Sequence, residues 1–424
     1  MTLILTCVIF LVTYAFIVLE KIPRAVAAAS GAALLVLFGV LSQETAIHHI
    51  DWNTLGLLIG MMIIVDITRR SGVFGFLAIW VAKKVEGNPI KLLLALSLLT
   101  AILSAFLDNV TTVLLIVPVA IAIADTLKIH PTPFLLTQIL ASNIGGTATL
   151  IGDPPNIMIS GPAGLSFGDF IINLAPPVII ILAVTLLGFY FVYRRELTTD
   201  QESIEELMKQ NELEYIKDWA LLKKSLLVLG LTILGFILHS VLHVESATIA
   251  LTGAMLLLIL SHEDPEEVFL AIEWPTIFFF AGLFILVGGL VEVGVLDRVA
   301  NWSLSLTGGD PLLMAMLILW ISAIFSAFVD NIPFVATMIP LIQKLGALGD
   351  FGPEEIKPLW WALALGACLG GNGTLVGASA NVIVAGIAEK NGYPITYKQF
   401  LKIGFPFMIV SVIIATGYIL LRYY

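Results

Sequence analysis

Apolar runs of near-uniform length, separated by short polar stretches, dominate the chain. Runs at about 2–19, 22–41, 53–68, 170–193, 223–241, 246–260, 274–291 and 399–421 read as helices that cross a membrane. A hydrocarbon core of about 30 Å needs roughly 20 such residues. Other apolar stretches are interrupted. Between 90 and 125 the break is Asp108 with Asn109. Between 132 and 161 it is Gly145, Gly146, Gly152, Pro154 and Pro155. Matching breaks recur at Asp330 with Asn331 and from Gly370 to Asn381.

These matches are regular. Ser104–Asn109 reads S-A-F-L-D-N and Ser326–Asn331 reads S-A-F-V-D-N, an offset of 222. The same offset relates Gly31 to Gly253, Trp52 to Trp274, Gly60 to Gly282, Gly72 to Gly294 and Pro118 to Pro340. After three inserted residues, Gly145, Gly146, Thr149, Leu150, Gly152 and Asn156 match Gly370, Gly371, Thr374, Leu375, Gly377 and Asn381 at an offset of 225. A constant offset over such a distance marks an internal duplication. Residues 1–193 form repeat 1, with scaffold helices in 1–70 and a hairpin and broken helix in 88–162. A polar linker covers 194–222. Residues 223–424 form repeat 2, with scaffold helices in 223–292 and a hairpin and broken helix in 310–389.

Counting crossings decides how the repeats are related. Segment 73–86 is about 20 Å long as a helix, too short to cross. Its mate, 295–307, carries Asp297, Arg298 and Asn301 and reads as interfacial. The 90–125 stretch folds as a re-entrant hairpin with its tip at Asp108. Five crossings per repeat remain. That number is odd, so the second repeat is inverted. The expected fold is an all-α membrane protein with ten spanning helices, two re-entrant hairpins and discontinuous helices at the midplane. With the N-terminus outside, 17 of the 21 Lys and Arg fall on the cytoplasmic side and only Arg298, Lys344, Lys357 and Arg422 outside. The positive-inside rule favours that orientation, which leaves both termini external in the inner membrane.

Composition agrees: 59% hydrophobic and 12% charged, against about 25% charged in soluble domains. The net charge of −10 reflects acids in loops and points to no nucleic acid partner. Two distant cysteines, Cys7 and Cys368, permit no disulfide framework or zinc site. The first twenty residues lack the pattern of a cleaved leader and read as a retained span.

The candidate chemistry sits at the interruptions. A carboxylate at the bilayer centre costs roughly 2.5–3.5 kcal/mol. Two at equivalent positions, Asp108 and Asp330, suggest ion or proton binding at two hairpin tips, with Asn109, Thr111 and Asn331 beside them. The plainer alternative is that each Asp caps the following helix. The run N-I-G-G-T-A-T-L-I-G-D-P-P-N, Asn143 to Asn156, cannot continue a helix. Irregular backbone at such depth lines a cavity or lies inside protein, and half-helix termini there aim at ions. Asn143, Thr147, Thr149, Asp153, Asn156, Asn372, Thr374 and Asn381 join the candidate lining. Asp153 has Ala378 as its mate, so the half-sites are unequal and its loss is expected to be the milder. Asp66, three and four residues before Arg69 and Arg70, reads as a helix-surface ion pair. His239 and His243 read as interfacial. Cys368 reads as a small core residue, with a metalloid-binding thiol as the rarer option. No Lys or Arg falls at a predicted span centre, so no fixed positive partner for the carboxylates is expected.

At these residues the chain resembles the ion transporter superfamily. Its branches include arsenite efflux pumps, NhaD-type sodium/proton antiporters, the melanosomal P protein, citrate transporters and divalent-anion/sodium symporters. The G-G-T-A-T-L-I-G-D-P-P-N-I and L-D-N-V-T-T runs resemble the P-protein branch. In the symporter branch the hairpin tip reads Ser-Asn-Thr. Asp108-Asn109-Val110-Thr111 and Asp330-Asn331-Ile332-Pro333 depart from it and favour cation or proton handling. The resemblance implies a homodimer, a rigid scaffold, an elevator domain made of hairpins and broken helices and, for an arsenite pump, a soluble ATPase partner. The function expected is secondary transport of a small inorganic ion, coupled to H⁺ or Na⁺, with Na⁺ at Asp108, Asn109, Asp330 and Asn331 and no resident metal or cofactor. The rival on the same fold is a sodium-coupled citrate, dicarboxylate or other anion carrier. A pore-type channel is a further option. An intramembrane aspartyl protease would need a Gly-x-Gly-Asp context that neither Asp has.

Overall fold

The computed structural model describes residues 2–19 and 21–424. The first span therefore lies within the described residues except for Met1 and Glu20 at its ends. Helices account for the architecture, and no strand occurs among the described residues. Repeat 1 comprises α1 (Thr2–Leu19), α2 (Arg24–Leu37), α3 (Gln43–His48), α4 (Trp52–Arg70), α5 (Val73–Lys84), α6 (Pro89–Phe106), α7 (Asn109–Thr126), α8 (Thr132–Gly146), α9 (Pro154–Ala163) and α10 (Phe167–Tyr193). The linker holds α11 (Gln201–Lys209) and a 3-10 turn. Repeat 2 comprises α12 (Trp219–Leu242), α13 (Ser246–Ser261), α14 (Pro265–Leu270), α15 (Trp274–Glu292), α16 (Val295–Thr307), α17 (Pro311–Phe328), α18 (Asn331–Leu348), α19 (Pro353–Gly370), α20 (Ser379–Lys390) and α21 (Tyr397–Tyr423). The starts of α2 to α7 map onto those of α13 to α18 at the offset of 222, and α9 onto α20 at 225.

Among the described residues, ten helices are long and apolar enough to cross a membrane. Four of these are the arms of the two hairpins, α6 packed on α7 and α17 on α18. Conversely, α2 and α13 have only 14 and 16 residues. They still complete the bundle, because each packs on a crossing helix of the other repeat: α2 on α15, and α13 on α4. The close approach uses one device twice. A Cβ on Gly282 would meet the backbone of Ala28, and a Cβ on Gly60 would meet that of Ala250. Both members of one contact lie 222 residues from those of the other. This reciprocity is what two interlocked inverted repeats require. The hairpins obey the same symmetry, with α6 against α8, α17 against α19, and the half-helices crossing over as α9 on α18 and α20 on α7.

Side-chain chemistry starts and stops these elements. Leu107 and Asp108 have extended backbones, so α6 ends and α7 begins within two residues. Asp108 then caps α7 through the Thr111 N–H. Asp330 caps α18 through the Ile332 N–H at 3.1 Å. Pro154 opens α9 at the first helical position, where the missing N–H costs nothing. The α5 and α16 helices, with 12 and 13 residues, remain too short to cross. Asp66 does pair with Arg69 and Arg70, at 2.5 and 3.1 Å. Arg70 reaches on to Glu263 at 2.8 Å and fastens α4 to the loop before α14.

Candidate functional site

The two hairpin tips meet at one cavity of about 30 Å³. The first tip supplies Asp108, Asn109 and Val110, and the second supplies Asn331 and Ile332. The broken helices add Asp153, Pro154 and Ser379, while α2, α4 and the start of α15 close the remaining wall with Arg24, Leu58, Met62, Glu273 and Thr276. A volume of that size admits one or two water-sized species.

Asp153 is the most constrained group. It is fully buried, and its Oδ2 has no hydrogen-bond partner. Its Oδ1 accepts from Asn331 Nδ2 at 3.4 Å. It stands at the N-cap position of α9 but makes no side-chain cap. Burying an unpaired carboxylate oxygen is costly, and the one long bond from Asn331 to the other oxygen offsets little of it. Asp108 differs. Both its oxygens are engaged within its own turn, one by the Thr111 N–H at 2.7 Å and the other by the Thr111 hydroxyl.

Asp330 breaks the symmetry and corrects the expectation that no positive group faces the carboxylates. Arg24 Nη1 lies 2.9 Å from Asp330 Oδ2 and 2.6 Å from Ser379 Oγ. Ser379 Oγ donates to the same carboxylate oxygen at 2.7 Å. Arg24 opens α2, so the hydropathy pattern placed it at a span end. The pairing joins residues 306 positions apart, and no local pattern could show it. Even so, Asp108, Asp153, Asp330 and Glu273 outnumber the one guanidinium. That excess of carboxylate favours a bound cation or proton.

The remaining candidates divide into lining and support. Asn109 and Asn331 line the cavity. Behind Asn109, a buried amide chain runs from Asn109 Nδ2 to Asn143 Oδ1 at 3.1 Å, and from Asn143 Nδ2 to Asn372 and Asn381 at 2.9 Å each. Thr147, Thr149 and Thr374 spend their hydroxyls on backbone carbonyls, those of Asn143, Ala105 and Ala327. Asn156 Nδ2 bridges the Thr147 and Thr149 carbonyls at 3.1 and 2.8 Å, and Asn381 does the same for Gly371 and Thr374 at 2.8 and 2.9 Å. These side chains hold the irregular loops in shape. Asn156→Leu and Asn381→Leu are each expected to leave two buried carbonyls unpaired. At about 1–3 kcal/mol per orphaned group, both variants should melt well below wild type in detergent; unchanged melting would make the bridges dispensable. Cys368 is buried and its thiol faces Asn156 Oδ1 at 3.7 Å, a packed core position.

Arg24, Glu273, Thr276 and Ser379 were not singled out from sequence. Ser379 had a signal, since it replaces Pro154 in a motif that keeps its glycines and its final Asn. The cavity shares Arg24 and Thr276 with a vestibule formed by Lys21–Ala25 and Pro275. The pseudo-symmetric hollow at Asn53 and His243–Ser246 shares no lining residue with it. The site therefore adjoins the hollow at the start of α2 and not the one at the start of α13.

Comparison with known proteins agrees with this architecture. The chain is 44% identical over 420 residues to a 46 kDa membrane protein of Mycobacterium leprae, covering 98% of this chain and 97% of the relative. It is 43% identical to an uncharacterized transporter of Mycobacterium tuberculosis, with the same coverage. The human P protein is 34% identical over 97% of this chain, which spans 59% of the P protein's length. The crystal structure of the YdaH transporter of Alcanivorax borkumensis superposes with a TM-score of 0.64 at 14% identity, covering 99% of this chain and 97% of that one, and shares the fold. The family model described as citrate transporter matches residues 14–366, and the chain belongs to that family of multi-pass membrane transporters.

Proposed function

We propose that the chain is a secondary active transporter of a small inorganic ion, coupled to protons or sodium, with Asp108, Asp153 and Asp330 as the groups that exchange cation and proton. The observation that supports it best is the partnerless Oδ2 of Asp153, fully buried between the two hairpin tips. A carboxylate without a local structural task, facing a cavity sized for a small ion, is what cation or proton binding needs. Arsenite efflux and sodium/proton antiport are the leading forms of this activity. An arsenite pump would add a soluble ATPase partner.

The family's description favours a second reading, sodium-coupled carriage of citrate or another anion. The site opposes it in this conformation. Three carboxylates line the cavity and a fourth, Asp330, already pairs with its one guanidinium, an excess of negative charge that disfavours a tricarboxylate. Flux into proteoliposomes with arsenite, sodium, chloride and dicarboxylates, with and without a pH gradient, separates the two. Citrate uptake that needs Na⁺ and ignores the pH gradient would replace the first reading with the second.

In this reading α1, α2, α4 and their mates form the rigid scaffold of a homodimer in the inner membrane. The hairpins and broken helices form the moving body. With both termini external, the Lys21–Ala25 vestibule beside the site faces the cytoplasm. Cysteines placed at Lys209 should react with impermeant thiol reagents only from inside, and at Gly164 or His243 only from outside. Labelling of position 209 in intact cells would reverse the orientation.

A further inference from the structure

Two contacts fasten the second hairpin to scaffold helices of the first repeat. Arg24, the first residue of α2, donates its Nη1 to Asp330 Oδ2 at 2.9 Å and to Ser379 Oγ at 2.6 Å. Ser379 opens α20 and donates to the same carboxylate oxygen at 2.7 Å. On the scaffold side the guanidinium lies 5.3 Å from the centre of the Phe279 ring of α15, a cation–π seat. Tyr14 of α1 makes the second contact. Its hydroxyl donates to the Pro333 carbonyl of α18 and lies 2.9 Å from Thr337 Oγ1, one turn further on. The mates of these residues in the duplication carry other chemistry. Tyr14 corresponds to Phe236, Arg24 to Ser246 and Asp330 to Asp108 at the offset of 222, and Ser379 to Pro154 at 225. Phe236 has no hydroxyl and is fully buried, its ring 5.7 Å from that of Phe167. Pro154 has no hydroxyl either. Ser246 carries no charge, and both oxygens of Asp108 are held by Thr111. Inverted repeats exchange conformations when alternating access reverses. The reversed form therefore has no ion pair at the first place and no side-chain bond at the second.

We propose that Arg24 and Tyr14 form a two-point latch between scaffold and moving body, which holds the carrier in the conformation with its site beside the Lys21–Ala25 vestibule. Both are positioning residues. Arg24 and Tyr14 stay with the scaffold, while Asp330, Ser379, Pro333 and Thr337 leave with the moving body. Each passage to the other side must break both contacts, and nothing equivalent forms on arrival. The charge-assisted bond is the stronger of the two. A contact made in one state alone shifts a two-state balance by the whole of its free energy. Removing either contact therefore moves population toward the reversed form. This inference rests on the reading of the hairpins and broken helices as a moving body, and the test keeps the two apart.

Thr54 and Thr276 are mates at the offset of 222 and report the two states. Thr54 is buried, whereas Thr276 lines both the cavity and the vestibule. Reversal exchanges these exposures. Thr54→Cys and Thr276→Cys, each in a chain with Cys7 and Cys368 replaced by Ser, are purified in detergent and timed against a hydrophilic maleimide. Tyr14→Phe and Arg24→Gln should each speed reaction at position 54 at least three-fold and slow it at 276. The two together should exceed either alone. Asp330→Asn should act as Arg24→Gln does and add nothing to it, because both remove one shared bond. Faster reaction at both positions would mean a loosened fold, and additive effects of Arg24→Gln and Asp330→Asn would mean separate packing roles; either overturns the latch. Should Arg24→Gln fail to fold, Tyr14→Phe, which removes a single oxygen outside the cavity lining, decides alone. Measurable reaction at 54 in the chain with Tyr14 and Arg24 intact, with no response to the substitutions, sinks the latch and leaves the moving body. No reaction at 54 in any variant sinks both.

Discussion

Asp153→Asn should insert and fold as wild type does, melt no lower, and lose coupled transport by about 100-fold or more. The size follows from removing a charge that a desolvated site uses directly, worth about 3–5 kcal/mol. The stability follows from local structure. Asp153 makes no helix cap, and its Oδ2 has no partner to lose. An isosteric amide removes the charge that burial penalises, so function and stability part company. From the sequence, its mate Ala378 suggests a mild effect; the burial of the partnerless oxygen argues for a large one, and the measured flux decides between them. Asp108→Asn should be similarly inactive and equally well folded, since Asn caps a helix about as well as Asp. Asp108→Ala would lose both roles. Flux near wild type in Asp108→Asn, with instability in Asp108→Ala, would reduce Asp108 to a cap. If H⁺ and Na⁺ compete for these carboxylates, the Na⁺ concentration that half-saturates wild-type flux should fall as pH rises. A flat profile would argue against competition at one site.

The second large effect concerns the helix breaks. Gly145→Val and Gly370→Val should each destabilise the protein by about 3 kcal/mol or more, the upper end of overpacking costs. A side chain at Gly145 would land on the backbone of Ala101, and one at Gly370 on that of Ala323. Both obstacles are main chain in helices α6 and α17, so neither can swing aside. The neighbouring tethers, Thr149 to the Ala105 carbonyl and Thr374 to that of Ala327, would shift with the helices. Gel-filtration profiles and melting in detergent read the outcome directly. Monodisperse variants with wild-type melting would show that the broken helices do not need this approach.

The duplication was legible in the chain because it is a property of spacing. Residues 222 apart carry the same types whatever the fold, and the hairpin turns at Asp108 and Asp330 follow from a polar pair between apolar arms. The broken helices were legible because several glycines followed by Pro154 and Pro155 disfavour helix over one short run, whereas isolated prolines are tolerated inside α7, α18 and α21. The division of labour among the polar side chains was not. Thr147, Thr149, Thr374, Asn156 and Asn381 read as site residues by type and place, yet their donors serve nearby carbonyls, and only three-dimensional proximity decides which acceptor a hydroxyl reaches. Arg24 marks the same boundary most clearly. Its position at a span end placed it outside the site, and the fold of two interlocked repeats brought it to Asp330 across 306 residues. Periodicity and spacing set the elements, because backbone geometry is local. The identity of the charge facing each carboxylate was left to tertiary structure, because electrostatic pairing depends on distance through space.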